Sequence, residues 1–213
     1  SIVLQSKEEI LVNHLVLAIG HSARDTFTML YEHGLTMEKK AFAIGVRIEH
    51  DRNMINDSQY GPNWKKYGLP TASYKLTHQA VSGRGIYSFC MCPGGYVVNA
   101  SSEKGRLAVN GMSYYKRGGE NANSAIIVAV TPADFPMEGP LGGVEFQRRL
   151  EEKAFTLGAG QIPVQLYGDF TRNQTSTAFG DVMPQICGDY RFANLRELMT
   201  EEMNQAFMEG MQE

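Results

Sequence analysis

The sequence predicts an α+β fold, with a mixed or antiparallel β core and about three flanking helices. Short β-branched and aromatic runs crowd residues 1–130, apolar stripes at helical spacing flank them, and the two kinds of segment do not alternate as regular βαβ units would. With 213 residues, 43% of them hydrophobic and 20% charged, the chain can bury a core without metal or disulfide staples. A net charge of −3 and no long Lys/Arg cluster exclude a nucleic-acid surface. Three cysteines, an odd number, point to a reducing cytoplasm rather than a secreted disulfide framework. No run of about 18 apolar residues suits a membrane span, and no charged-then-apolar signal segment opens the chain. The start at Ser1 reads as the start of a piece cut from something longer.

Residues 1–5, a Ser-Lys-Glu-Glu turn and the nearly continuous apolar run 10–19 predict a hairpin followed by a buried strand. Gly20 ends it. Ser22 and Asp25 stand in capping-box spacing ahead of a short helix over 26–33, which carries Phe27, Leu30 and Tyr31 on one face and stops at Gly34. Residues 41–48 read as a strand with Arg47, Glu49 and His50 near its end, and 51–69 as a short helix plus loop. Strands over 72–77, 85–92, 96–100 and 106–109 form an antiparallel meander, in which Pro93-Gly94-Gly95 turns one strand into the next. Residues 110–123 are polar, glycine-rich and long, as functional loops are. A strand over 125–130 and an amphipathic helix over 143–157 follow, the helix striped by Phe146, Leu150, Ala154 and Leu157. A strand over 164–166, an irregular connection over 168–193 and a last helical stripe of Leu195, Leu198, Met199, Met203, Ala206 and Phe207 complete the chain.

The stretch carrying most chemistry is 86–99. Strand alternation would put Ser88, Cys90 and Cys92 on one face and Tyr87, Phe89 and Met91 on the other, holding two thiols beside a turn of bare glycine backbone. Such thiols serve as a redox or covalent pair, as half of a metal site, or merely as small buried hydrophobes. Cys187 and the histidines lack the spacing to complete a zinc set, so no metal ligands are assigned. The segment Gly20-His21-Ser22 is either a helix start aimed at an anion or an ordinary capped turn. Arg47 and His50 at a strand end are candidates for substrate contact, as are Asn121 and Asn123 in the polar loop; a solvated rim is the plainer alternative for both groups. Gly83-Arg-Gly-Ile-Tyr-Ser88 lacks the third glycine of a dinucleotide fingerprint and leads into a strand.

Four motifs in one order carry a resemblance: Leu17-Ala-Ile-Gly-His-Ser-Ala-Arg-Asp-Thr26, Phe42-Ala-Ile-Gly-Val-Arg-Ile-Glu-His50, Tyr87-Ser-Phe-Cys-Met-Cys-Pro-Gly-Gly95, and Asn110-Gly-Met-Ser113 with Glu120-Asn-Ala-Asn-Ser-Ala125. The chain resembles the bacterial family of uncharacterised FAD-dependent dehydrogenases, two-part flavoproteins, from its first strand to about Phe170 and more weakly beyond. In that family the glycine-rich FAD segments lie outside the stretch corresponding to this chain. The resemblance implies that 1–34 is the edge of the FAD-binding fold, 35–170 an inserted, β-rich, substrate-side domain, and 171–213 a connection with a C-terminal helix, here grouped as one domain over 1–213.

The resemblance also implies FAD as cofactor, bound weakly or not at all by this stretch alone. Gly20, His21 and Ser22, together with Pro93, Gly94 and Gly95, would approach the cofactor. Cys90 and Cys92 would face its reactive ring or a small-molecule substrate. A non-catalytic ligand- or protein-binding module is the alternative from another class. Self-association into a homo-oligomer is expected where surface meant for a missing domain is exposed.

Overall fold

The first hairpin forms where the Ser-Lys-Glu-Glu turn predicts it, with β1 (Ile2–Val3) antiparallel to β2 (Glu9–Ile10). In the computed structural model, which describes residues 1–213, it belongs to the first of two compact units, Ser1–Met37 and Glu38–Glu213. Of residues 10–19, expected as a buried strand, only Ile10 lies in one, at the end of β2, and Leu11 and Val16 are 85% and 86% exposed. A strand needs a neighbouring ladder for its amides, and no other segment of the chain pairs with the rest of this run. Helix α1 (Arg24–Glu32) follows without the expected capping box. Asp25 instead accepts from the Thr26 amide at 2.7 Å, while Ser22 offers its backbone carbonyl to Arg24 N at 2.8 Å.

The second unit opens with β3 (Phe42–Asp51), followed by α2 (Arg52–Tyr60) and a 3₁₀ turn, Trp64–Tyr67. Asp51 ends the strand and caps the helix, its carboxylate accepting from Asn53 N at 2.6 Å. Next come β4 (Thr77–Gln79), β5 (Gly85–Cys92), β6 (Tyr96–Asn99), β7 (Val109–Met112) and β8 (Asn121–Val130). Helix α3 (Gly142–Leu157), β9 (Ile162–Val164), α4 (Tyr167–Thr171), β10 (Ile186–Cys187), β11 (Tyr190–Phe192) and α5 (Glu201–Gln212) complete it. The α+β expectation is borne out.

Three sheets form in this unit: the antiparallel order β3-β8-β5-β4, the mixed order β10-β6-β7, and the parallel pair β11-β9. The meander is corrected here, because β5 and β6 enter different sheets instead of pairing across the Pro-Gly-Gly turn. The polar loop is shorter than expected, since β7 and β8 take up both its ends and leave only 113–120. Asparagine and glycine are poor strand formers, but long-range pairing with β6 and β3 overrides that preference. The irregular stretch likewise contributes β10 and β11, whose parallel partners lie far away in sequence and leave no local signal.

One face of the four-stranded sheet carries Ile44, Ile86, Ile126 and Val128, which cluster with Met203, Ala206 and Phe207 of α5. At the rim of this core Arg84 makes a bidentate pair with Asp134 (2.6 and 3.0 Å), reaches Glu202 at 2.9 Å and donates to the Ala129 carbonyl at 2.8 Å. Asp134 also caps its own turn through Thr131. The Arg84 hydrogen bonds, more than the opposing cost of burial, hold the Asp134 carboxyl below the usual carboxylate range. No helix is long and apolar enough to cross a membrane.

A carboxyl whose folded-state pKa is depressed adds stability above its unfolded value of about 4, and that stability is lost as pH falls through the folded value. Asp134→Asn is therefore expected to lower stability at pH 7 and to flatten the acid limb of the stability curve below about pH 4. Urea denaturation at a series of pH values measures both effects.

Candidate functional site

The ten-residue pairing of β3 with β8 places Arg47 opposite Ala125, Glu49 opposite Asn123 and Asp51 opposite Asn121. Alternation thus puts Arg47, Glu49, Asn121 and Asn123 on one face, away from the α5 core. Asn121 donates to Glu49 Oε2 and to the Met183 carbonyl, both at 2.7 Å. Gln185 closes the loop, donating from its backbone N to Glu49 at 2.7 Å and accepting from Asn121 N at 3.0 Å. This network holds Glu49 and Asn121 in place and leaves Arg47 directed at β5.

Strand β5 does not keep the simple alternation. Phe89 faces Ala125 and the next pairing is Cys92 with Asn123, so two residues of β5 stand against one of β8. This is a β-bulge at Cys90–Met91. Cys90 sits at φ +47°, in the left-handed region, and its carbonyl is turned onto Arg47, whose Nη2 donates at 2.6 Å. The Cys92 thiol donates to the same carbonyl at 3.4 Å and lies 3.8 Å from Nη2. The expected shared face for Cys90 and Cys92 is replaced by this folded corner, in which Cys90 is exposed, Cys92 is half-buried and both are free thiols. Phe89 is exposed, while Ser88, on the other face of the strand, is buried.

Gly111 of β7 lies directly above. A Cβ there would stand 2.5 Å from the Arg47 Cζ and would collide with Asn123 Oδ1, so the missing side chain makes room for both. Asn123 is 0% exposed, and neither of its amide atoms, nor Arg47 Nε, has a hydrogen-bond partner. The Pro93-Gly94-Gly95 turn is buried rather than bare. Gly94, at φ +57°, packs where a Cβ would strike the Arg117 carbonyl, and its own carbonyl accepts from Gly119 N at 3.0 Å. Ser113 Oγ donates to the Pro93 carbonyl at 2.9 Å.

His50 points to the opposite face. Its Nδ1 meets the Asp51 carbonyl at 3.0 Å and its Nε2 meets the Tyr74 hydroxyl at 3.0 Å. Burial pushes the Tyr74 phenol above its ordinary value, against the opposing pull of a Ser124 hydrogen bond and the Arg47 charge. Arg47, Cys90, Cys92 and Asn123 thus meet at one corner, with Asn121 in the adjacent Glu49 network and His50 paired to Tyr74. Gly20, His21 and Ser22 belong to the N-terminal unit, ahead of α1, and nothing comes within 4 Å of the Cβ position of Gly20. Tyr74, Ser124 and Gln185 were not singled out in the sequence. For Tyr74, a hydroxyl-bearing aromatic within a strand-like run was the signal available; Gln185 had none.

A family model described as FAD-dependent protein, C-terminal domain-like, matches residues 41–213. The chain belongs to this family. An uncharacterized protein of Clostridium beijerinckii is 51% identical over 214 residues, a stretch that covers 99% of this chain and 40% of that protein. The chain thus spans about two fifths of that relative's length, and the resemblance to FAD-dependent proteins read from the four motifs is borne out.

FAD has a polar ring end and an anionic diphosphate, and the C-terminal domain-like unit suits only the first. Its helix starts carry acidic groups, namely the Asp51 cap on α2, Glu145 in the first turn of α3, and Glu201 and Glu202 in that of α5, all of which repel a diphosphate. The guanidinium and thiol corner suits a neutral, acceptor-bearing ring edge. A hollow of about 480 Å³ beside Arg149, Lys153 and Leu198 contains none of these residues.

A left-handed conformation costs an ordinary side chain about 1–2 kcal/mol and glycine nearly nothing. Cys90→Gly should therefore prove about 1 kcal/mol more stable than Cys90→Ala in urea denaturation. Equal stabilities would mean that the Arg47 contact does not hold the bulge in this conformation.

Proposed function

We propose that residues 38–213 are the substrate-side domain of a FAD-dependent oxidoreductase, in which the Cys90–Cys92–Arg47 corner faces the flavin ring or the substrate bound against it. The supporting observation is the bulge, where Arg47 draws the Cys90 carbonyl inward and leaves the thiol exposed. Strained backbone that the surroundings over-determine clusters at working sites. Bound FAD supplies the two-electron acceptor; binding, orientation and charge fall to the protein.

Arg47 brings a fixed positive charge to the corner, and Cys92 hydrogen-bonds behind it. Asn123, buried with an unmatched donor and acceptor, adds polarity beneath. The exposed Tyr114 and Tyr115 of the 113–120 loop favour a second function, a partner- or ligand-binding surface without chemistry.

The 213-residue chain, lacking a diphosphate cradle, is expected to show no tight saturable change when FAD is titrated and followed by flavin fluorescence. In a full-length protein carrying this chain, FAD loading should slow iodoacetamide labelling of Cys90 about tenfold or more relative to the FAD-free form. Cys187, on β10, serves as the control. Equal Cys90 labelling with and without FAD would remove the corner from the cofactor's neighbourhood and leave the binding-surface function standing.

A further inference from the structure

The hydrogen bonds around His50 have a direction. Its Nδ1 has only a carbonyl, that of Asp51, to bond at 3.0 Å, and a carbonyl cannot donate. Nδ1 therefore carries the proton, and Nε2, lacking one, accepts from the Tyr74 hydroxyl 3.0 Å away. The rings lie 5.6 Å apart at 38°, so the contact is edge-on through the heteroatoms rather than stacked. The phenol also lies against the fully buried Ser124 hydroxyl, whose hydrogen bond it shares, and both Tyr74 and His50 remain partly accessible.

This pair sits beside the cysteine bulge. Thr77 faces Tyr87, and the chain just before β4 stays beside β5, with Ser88 N donating to the Leu76 carbonyl at 2.9 Å and Leu76 N donating to Ser88 Oγ at 2.7 Å. Ser124 links the two sides, since its hydroxyl reaches the Phe89 carbonyl, one residue before Cys90, at 3.3 Å. The charged side chains nearest in sequence or in field are Arg47 and Asp51 from β3 and Lys75 beside Tyr74. None of them occupies the Tyr74–His50 contact.

We propose that Tyr74, backed by His50 on the other face of the sheet at the strand ends beside the cysteine corner, is a proton-accepting group that acts on a substrate hydroxyl. The substrate O–H bond breaks as its proton joins the phenol oxygen. The phenol's own proton passes at the same time to His50 Nε2, forming an imidazolium whose Nδ1–H stays bonded to the Asp51 carbonyl. One proton leaves the substrate and one arrives on the imidazole; no electron changes hands in this step. Removal of a hydroxyl proton is what oxidation of an alcohol leaves to side chains when a flavin accepts the hydride, so the inference rests on the oxidoreductase function proposed above.

The first test uses the chain alone and needs no flavin. Long-range ¹H–¹⁵N correlation of the histidine side chains should show His50 as the Nδ1–H tautomer, and Tyr74→Phe should leave that proton on Nδ1, held by the Asp51 carbonyl, while shifting the Nε2 resonance as its hydrogen bond is lost. An Nε2–H tautomer in the unaltered chain overturns the relay. The second test follows anaerobic reduction of the flavin by a panel of primary and secondary alcohols in a full-length, FAD-loaded protein carrying this chain. Tyr74→Phe should slow reduction about 10²- to 10⁴-fold with unchanged FAD loading and melting temperature. His50→Gln should also slow it.

Wild-type rates in Tyr74→Phe, or reduction by amines or thiols but by no alcohol, overturn the proposal. If Cys90 stays shielded by FAD while Tyr74→Phe reduces normally, the relay fails and the oxidoreductase function survives. Loss of shielding sinks that function instead.

Discussion

Ten consecutive pairings between β3 and β8, from Phe42 with Val130 to Asp51 with Asn121, set where almost every other residue of the second unit goes. Side chains alternate with period two, so this register sends Ile44, Ile126 and Val128 to the α5 core and Arg47, Glu49, Asn121 and Asn123 to the opposite face. A slip of one residue would exchange the two sets, burying a guanidinium and a carboxylate in the aliphatic cluster. The penalty for an unpaired buried charge makes such a slip prohibitive. The same register sends His50 toward Tyr74 while its near neighbour Arg47 reaches Cys90.

The cysteine corner is a local compromise on that frame. A left-handed cysteine costs about 1–2 kcal/mol, and a charge-assisted hydrogen bond from Arg47 to its carbonyl is strong enough to offset much of it. Gly111 makes the compromise sterically feasible, since any side chain there would displace the guanidinium. Asn123 pays in the other direction, with two buried amide atoms unmatched, a cost of roughly 1–3 kcal/mol for each group left unsatisfied. A core selected for stability alone would place an apolar residue at that position, and its polarity sits beside the two groups to which a functional role is assigned.

Much of the candidate site was visible residue by residue. Arg47, Cys90, Cys92 and Asn123 stood out as polar or reactive types near the ends of apolar runs, and they do converge. Tyr74, Ser124 and Gln185 did not stand out, because they act through contacts with residues 24 to 136 positions away in the chain. The fold was legible to a similar degree. Helix α3 and strand β5 fall where periodicity and turn residues place them, whereas the pairing of β10 with β6 has no local trace.

By itself the sequence determined the α+β class, the position of most strands and helices, the proximity of two thiols to a glycine turn, and, through four ordered motifs, kinship with FAD-dependent proteins. These properties depend on composition, short-range periodicity and local backbone preference, all of which operate within a few residues. Tertiary structure alone decided that β5 and β6 part into different sheets, that the glycine turn is buried under residues 113–119, and that a bulge breaks the alternation at Cys90. It also decided the pairing of His50 with Tyr74, since only the folded chain brings that hydroxyl to the imidazole. Each of these depends on long-range hydrogen bonds and steric fit, whose partners are chosen by the whole sheet rather than by neighbours in the chain.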